Sequence, residues 1–368
     1  MQPIKLLVRL LIGLSILVGT VAYAAAPAGY PSSYGGLSAA AAREGKLVIY
    51  STTDTSVVAP LIREFQSTYP GVQVEYLDLV STELYNRYLS ETAVGSPADV
   101  LWSSAMDLQV KLVNDGHALR YNSPEIPALP GWAHWREEAY GTTFEPIAFV
   151  YNKKLMSEKE VPRTHAALYN LIRNNPAKYR GKVTTYDAER SGLGFLLATQ
   201  DSKLNPGFWA LVRELGAANA KLQSNTGAMI AQIATGESLI GYNLLGSYAL
   251  TSAQGDPAIG VVLSTDYTLA ISRLMFISRR ARHPNAAKLW LDFVLSRRGQ
   301  ILLSQAGLYS VRNDVDGVAS GTRLVKDLGK AMRPVTVGPG LLVYLDQTKR
   351  ADFLRQWHQV FSPPASKP

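Results

Sequence analysis

The chain has 368 residues, 47% of them hydrophobic and 18% charged, which is enough apolar material for two modest cores. It has no cysteine, which excludes disulfide frameworks, thiolate nucleophiles and thiolate metal sites. The formal charge is +8, but lysine and arginine are scattered with no dense basic run among aromatics, so no nucleic-acid partner is expected.

In chain order, the first segment reads as an export signal. Lys5 and Arg9 precede an apolar run from Leu10 to Val21, and Ala22-Tyr23-Ala24 offers small residues for cleavage. Residues 1–24 are expected to be a cleaved signal peptide, leaving a periplasmic protein of charge 8 − 2 = +6. Residues 25–43 read as a flexible leader. No later stretch approaches ~20 uninterrupted apolar residues, the length of a membrane span.

Strands then alternate with helices. KLVIY (46–50) is a short apolar run, and Val58, Leu61, Ile62 and Phe65 follow at helical spacing. A Pro-Gly turn leads to a second strand by residue 79, a helix covers 82–91, and ADVLWSS (98–104) is a third strand before a helix closed by Gly116. After a long β-like run at 141–155, a second series repeats the alternation through GKVTTYD, SGLGFLLATQ, GAMIAQIATGE, SLIGYN, IGVVLST and LAISRLMFIS. The last part is helical. The order implies α/β architecture with crossover helices and largely parallel sheets. Joins near 141–152 and 264–275 make the middle segment an insertion: residues 44–141 and 270–330 form one lobe, 142–269 the other, and 331–368 a helical tail packing on the lobes.

Several chemistries lack their signatures. There is no phosphate-binding loop, no dinucleotide fingerprint, no H-E-x-x-H and no G-x-S-x-G. The five histidines have no ligand spacing. Neither an enzyme activity nor a cofactor or metal is expected.

One feature does recur, small hydroxyl residues between a strand and a helix. Ser51, Thr52 and Thr53 follow the first strand, and Ser103 and Ser104 the third. Thr185 and Asp187 end a strand of the second series, with Arg190, Ser191 and Gly192 entering the next helix; Tyr242 and Ser247 flank another strand end. Each site alone fits ordinary helix capping. Together, hydroxyls and helix N–H groups at strand ends form a cradle for a small anion. Arg190 could clamp a carboxylate or phosphate, or pair with Glu189 or Asp187 at the surface. Glu145 could meet a ligand amine or hydroxyl, or be a solvated hinge residue. Trp102 reads as core, and Asp107 as a carboxylate in a first helical turn.

The segments LVIYSTTD, ADVLWSSAMDLQVKLVNDG, IAFVYNKKL, GKVTTYDAERSGLGF and HPNAAKLWLDFVLSRRGQILLSQAG, in this order over residues 44–320, resemble the periplasmic solute-binding proteins of ABC importers. The similar branch includes binders of ferric ion, phosphorylated sugars and phosphonates. The resemblance implies a type 2 two-lobed fold that closes on its solute and delivers it to an inner-membrane permease, as a monomer. Iron binders of the branch resemble one another in an adjacent Tyr-Tyr pair; here Tyr242 and Tyr248 are separated, on a strand and on a helix, and the aligned position falls near Gly246-Ser247. The expected solute is therefore an organophosphate or phosphonate held by Ser51, Thr52 and Ser104 of one lobe and by Thr185, Arg190, Ser191, Gly192 and Tyr242 of the other. Ferric iron, or presentation of a ligand to a membrane histidine kinase, stands as the alternative.

Overall fold

The computed structural model describes residues 30–32, 34–95, 97–317 and 319–362. The expected signal segment lies outside them. Among the described residues, the first sheet contains β1 (Lys46–Ser51), β2 (Gln73–Asp78), β3 (Val100–Ser103), β4 (His134–Trp135), β5 (Ala139–Gly141) and β12 (Leu274–Ile277), in the order β2-β1-β3-β12-β5-β4. The second contains β6 (Glu145–Asn152), β7 (Val183–Tyr186), β8 (Lys221–Gln223), β9 (Ile240–Leu245), β11 (Thr268–Ile271) and β13 (Met332–Pro334), in the order β13-β11-β6-β9-β7-β8, with β10 (Ile259–Val262) beside β6.

Parallel pairing holds where a crossover helix joins the strands, as between β1 and β2 or β7 and β9. The strands at the passages between sheets return the other way, so β12 is antiparallel to β3 and β6 to β9. Each sheet is thus mixed rather than mainly parallel. Leu47, Ile49, Val100 and Trp102 of the first sheet are fully buried. The helix Thr55–Thr68 covers them with Val58, Leu61 and Phe65, one face at i, i+3 and i+7. Phe65 meets Trp290 edge to face at 5.1 Å, tying this helix to Pro284–Leu295.

The reading LAISRLMFIS as one strand is corrected by the structure. Its two halves, β11 and β12, lie in different sheets, and Ser272-Arg273 make the passage between them. Residues 142–144 make the other passage, between β5 and β6. The two run side by side. Thr142 donates through its N–H and Oγ1 to the Arg273 carbonyl at 3.0 and 2.8 Å, and Arg273 N–H donates to Thr143 Oγ1 at 2.9 Å. Trp102 Nε1 donates to Thr142 Oγ1 at 2.7 Å, so this tryptophan is buried and anchors the passage.

An ion pair fills the space between the passages. Arg273 donates to Glu145 through Nε at 2.7 Å and Nη2 at 3.2 Å, and neither side chain is exposed. Glu145 also accepts from Thr143 Oγ1 at 2.8 Å and from Ser247 Oγ. Arg273 Nη1 reaches Thr53 Oγ1 at 3.0 Å and the Thr52 carbonyl at 3.2 Å. Desolvation opposes the guanidinium charge, but the Glu145 carboxylate outweighs it and raises the pKa above the usual arginine value.

Two terminal segments differ from or sharpen the sequence reading. The stretch read as a flexible leader contains a helix, Tyr34–Glu44, which packs on Pro284–Leu295. Its small residues let it lie close: the buried Ala41 and Ser38 face inward. The tail touches both lobes. β13 adds to the second sheet, Val337 N–H then donates to the Trp132 carbonyl at 3.2 Å in the first lobe, and Pro339–Leu342 packs on the helix Met106–Asn114. The helix Gln347–Phe361 returns to the second lobe, burying Phe353 and Trp357 with Phe195 and Phe208.

Breaking a buried pair leaves one charge without its partner, so Arg273→Met should lose roughly 3–5 kcal/mol in urea unfolding. The double variant Glu145→Gln/Arg273→Met should recover a large part of that loss; equal stability of the single variant and the native chain would contradict the role assigned to the pair.

Candidate functional site

The strand ends of both sheets meet at a cleft of about 450 Å³. From the first lobe it is lined by Thr52, Asp54, Asp78, Ser81, Glu83 and Ser104, and from the second by Tyr186, Ser191, Ser224, Asn225, Thr226 and Tyr248. Leu79, Leu193 and Leu245 supply apolar patches.

The two walls differ electrostatically. On the first lobe, protein carboxylates occupy helix N-termini. Asp78 accepts from the N–H and Oγ1 of Thr55 at 2.9 and 2.5 Å at the start of Thr55–Thr68. Those bonds hold its carboxyl below the usual range. Glu83 sits in the first turn of Ser81–Val94. Thr52 Oγ1 accepts from Ser104 N–H at 3.0 Å and lies 3.2 Å from Ser104 Oγ, which joins β1 and β3 at the cleft floor.

On the second lobe the helix starts are uncharged. Ser191 caps Gly192–Leu204 by accepting from Gly194 N–H at 3.1 Å, and Asn225 caps Thr226–Ala234 by accepting from Ala228 N–H at 2.9 Å. Neither helix has an acid in its first turn. The positive ends of both dipoles therefore face the cleft without a protein anion. Tyr186 hydrogen-bonds Thr226, and burial raises its phenol well above the ordinary range, so it is neutral. Among the described residues, no lysine or arginine lines the cleft. The nearest buried cation, Arg273, stands behind the Tyr248 ring at 5.2 Å from its centroid. Tyr248 in turn accepts from Asp54 N–H across the lobes at 3.4 Å. The arrangement is one of hydrogen-bond donors and acceptors around a solute-sized space.

Residues 50–301 match the family model described as bacterial extracellular solute-binding protein. No curated protein sequence matches the chain. Among solved structures, the substrate-binding protein of an ABC transporter from Agrobacterium tumefaciens is 37% identical, with a TM-score of 0.83 over 86% of this chain and 94% of that one. The chain belongs to the bacterial extracellular solute-binding proteins. Its fold is also similar to that of AfuA from Actinobacillus pleuropneumoniae, a periplasmic binding protein solved with fructose-6-phosphate (19% identity, TM-score 0.72, 86% and 98% covered), and of iron-bound HitA from Pseudomonas aeruginosa (19%, 0.68, 86% and 99%). This solute-binding protein is a substrate-binding component of an ABC transporter, in a family that binds and does not catalyse.

Of the residues proposed from sequence, the structure brings Thr52, Ser104 and Ser191 to the cleft. The rest serve the walls behind it. Ser51 Oγ accepts from Thr53 N–H at 3.0 Å, and Ser103 Oγ from Ala105 N–H at 3.2 Å, so both hydroxyls shape their own turns. Thr53 is engaged by Arg273, and Ser247 by Glu145. Glu145 is not in the cleft lining: it is fully buried in the ion pair at the passages. Thr185 Oγ1 donates to the Tyr242 carbonyl at 3.0 Å, and Tyr242 is buried with its hydroxyl on Asp201. Asp187 accepts from the N–H groups of Glu189 and Arg190 at 2.9 and 3.1 Å, closing a turn. Arg190 is exposed and outside the cleft lining, and Gly192 gives its N–H to Ser81. The sequence reading missed Asp78, Ser81, Glu83, Ser224, Asn225, Thr226 and Tyr248. Ser224-Asn225-Thr226 obey the same strand-hydroxyl-helix rule, but β8 is only three residues long and gave no strand pattern.

Asp107 lies in a first helical turn as expected, yet it is buried. Burial pushes its carboxyl up to about 7, against the Leu108 N–H and the Arg350 charge. The folded state therefore holds a proton that the unfolded chain, with an ordinary carboxyl, has released by about pH 4 to 5. Stability contributed by this site falls as pH rises from about 4 to about 7. Asp107→Asn should show a higher Tm than the native chain at pH 8, with the difference shrinking toward pH 4; a pH-independent difference would contradict this.

Proposed function

We propose that this protein captures a small organic phosphate or phosphonate that also carries hydroxyl or ammonium groups, in the periplasm, and delivers it to an inner-membrane permease. The asymmetry of the cleft carries the reading. Acid-free helix N-termini at Ser191 and at Asn225-Thr226 suit an oxyanion, which needs donors aimed at it and no formal counter-charge. Asp54, Asp78 and Glu83 would repel a bare anion placed against them, but they accept well from hydroxyl or ammonium groups at the other end of the solute. The fructose-6-phosphate in AfuA has this two-ended chemistry. Ferric iron receives less support, because Tyr242 is committed to Asp201 in the second-lobe core while Tyr248 stands at the cleft.

The reading is tested by native mass spectrometry of the exported protein followed by calorimetric titration with glucose 6-phosphate, 2-aminoethylphosphonate, inorganic phosphate and ferric citrate. One of the two organic anions should bind more tightly than inorganic phosphate, and ferric citrate binding alone would overturn the proposal. For the solute that binds, Glu83→Gln or Thr226→Val should weaken affinity by about 10-fold or more if each gives a charge-assisted bond of ~1.5–3 kcal/mol. Arg190→Ala should stay within about twofold, as for other exposed positions.

A further inference from the structure

The lobes touch at the cleft wall through protein atoms alone. Gly192, on the second lobe, donates its N–H to Ser81 Oγ on the first at 3.0 Å. Thr82 Oγ1, next in sequence to Ser81, donates back across the gap to the Arg190 carbonyl at 2.6 Å. The start of the helix Ser81–Val94 and the Arg190–Gly192 entry to the helix Gly192–Leu204 thus lie against each other, each supplying one donor and one acceptor.

The fit is close enough to depend on the absence of a side chain. A Cβ on Gly192 would lie 2.7 Å from Leu108 Cδ1, 3.0 Å from Ser81 Oγ and 3.2 Å from Ala105 Cβ. All three neighbours belong to the first lobe. Gly192 has no positive φ to explain it, so its role is the approach of one lobe to the other. Gly192 and Ser81 are both buried.

We infer that Gly192, Ser81, Thr82 and the Arg190 carbonyl form a latch that favours the closed arrangement of the lobes through bonds that use no solute atom. They are positioning residues. The inference deepens the solute-binding reading, since a latch that populates the closed form in advance raises apparent affinity by the fraction it populates. It also gives Arg190 and Gly192, expected from sequence to touch the anion, a role through their backbone atoms.

The absence of cysteine lets the latch be tested without a solute. Val94 and Leu204, exposed near the far ends of the two latch helices, are replaced by cysteine and spin-labelled for distance measurement by pulsed electron resonance. Solute-free protein should show a main population at the closed distance. Ser81→Ala/Thr82→Val, with unchanged Tm, should add a longer-distance population, and Gly192→Ala should do so by wedging the lobes apart. The same distances in both variants and the parent would overturn the latch, as would a parent that is already open. If a solute is known, the Thr82→Val protein, changed at a residue that does not line the cleft, should bind it about 2- to 10-fold more weakly, through faster dissociation. Failure to bind any organic anion, with the distances shifting as expected, would reject the solute assignment and leave the latch standing.

Discussion

The structure turns on the Glu145–Arg273 pair. Two of the chain passages between the lobes run side by side, and each places one member of the pair beside the other with no exposure to water. Burying two charges is expensive, and the expense is offset only because each nitrogen of the guanidinium and each oxygen of the carboxylate has a partner: two bonds between the pair, two hydroxyls on the carboxylate, and the Thr52-Thr53 turn on the guanidinium. The pair is therefore more than a fastening. It holds the turn after β1, which lines the cleft, and stands behind Tyr248, which lines it from the other lobe.

This wiring explains why the cleft can be acidic on one wall and uncharged on the other without a cation at its surface. The buried cation, Arg273, is already neutralised and lies behind a tyrosine. What remains facing the solute is a pattern of dipoles. Carboxylates occupy the helix starts of the first lobe, so those starts offer acceptors. The capped but acid-free starts of the second lobe offer donors. A two-ended solute satisfies both walls at once, and a symmetrical ion satisfies only one.

A second set of contacts joins the lobes. The tail crosses from the second sheet to the helix Met106–Asn114 and back, and the same helix supplies Leu108 beside Gly192. The lobes are thus joined by the passages, the tail and the contact at Ser81 and Gly192 together. The buried Asp107 on this helix adds a pH dependence to the region, because its charged form is disfavoured by burial.

The sequence by itself determined the α/β alternation, most element positions and the family resemblance. These depend on local periodicity and on residue types at strand ends, such as KLVIY followed by Ser51, Thr52 and Thr53. It also placed Thr52, Ser104 and Ser191 at the cleft, since a hydroxyl beside a strand end and a helix start is where such folds meet ligands. The tertiary structure decided the rest. Whether Glu145 faces solute or Arg273 depends on residues 128 positions apart meeting at the passages. Whether Arg190 clamps an anion or lends only its carbonyl depends on Thr82 in the opposite lobe. Helix Tyr34–Glu44 acquires its place from Pro284–Leu295, and LAISRLMFIS divides between two sheets because its middle is the passage itself. Local sequence carries the period of an element, whereas the partner that completes a charge, a hydroxyl or a close glycine contact is set only when distant segments pack.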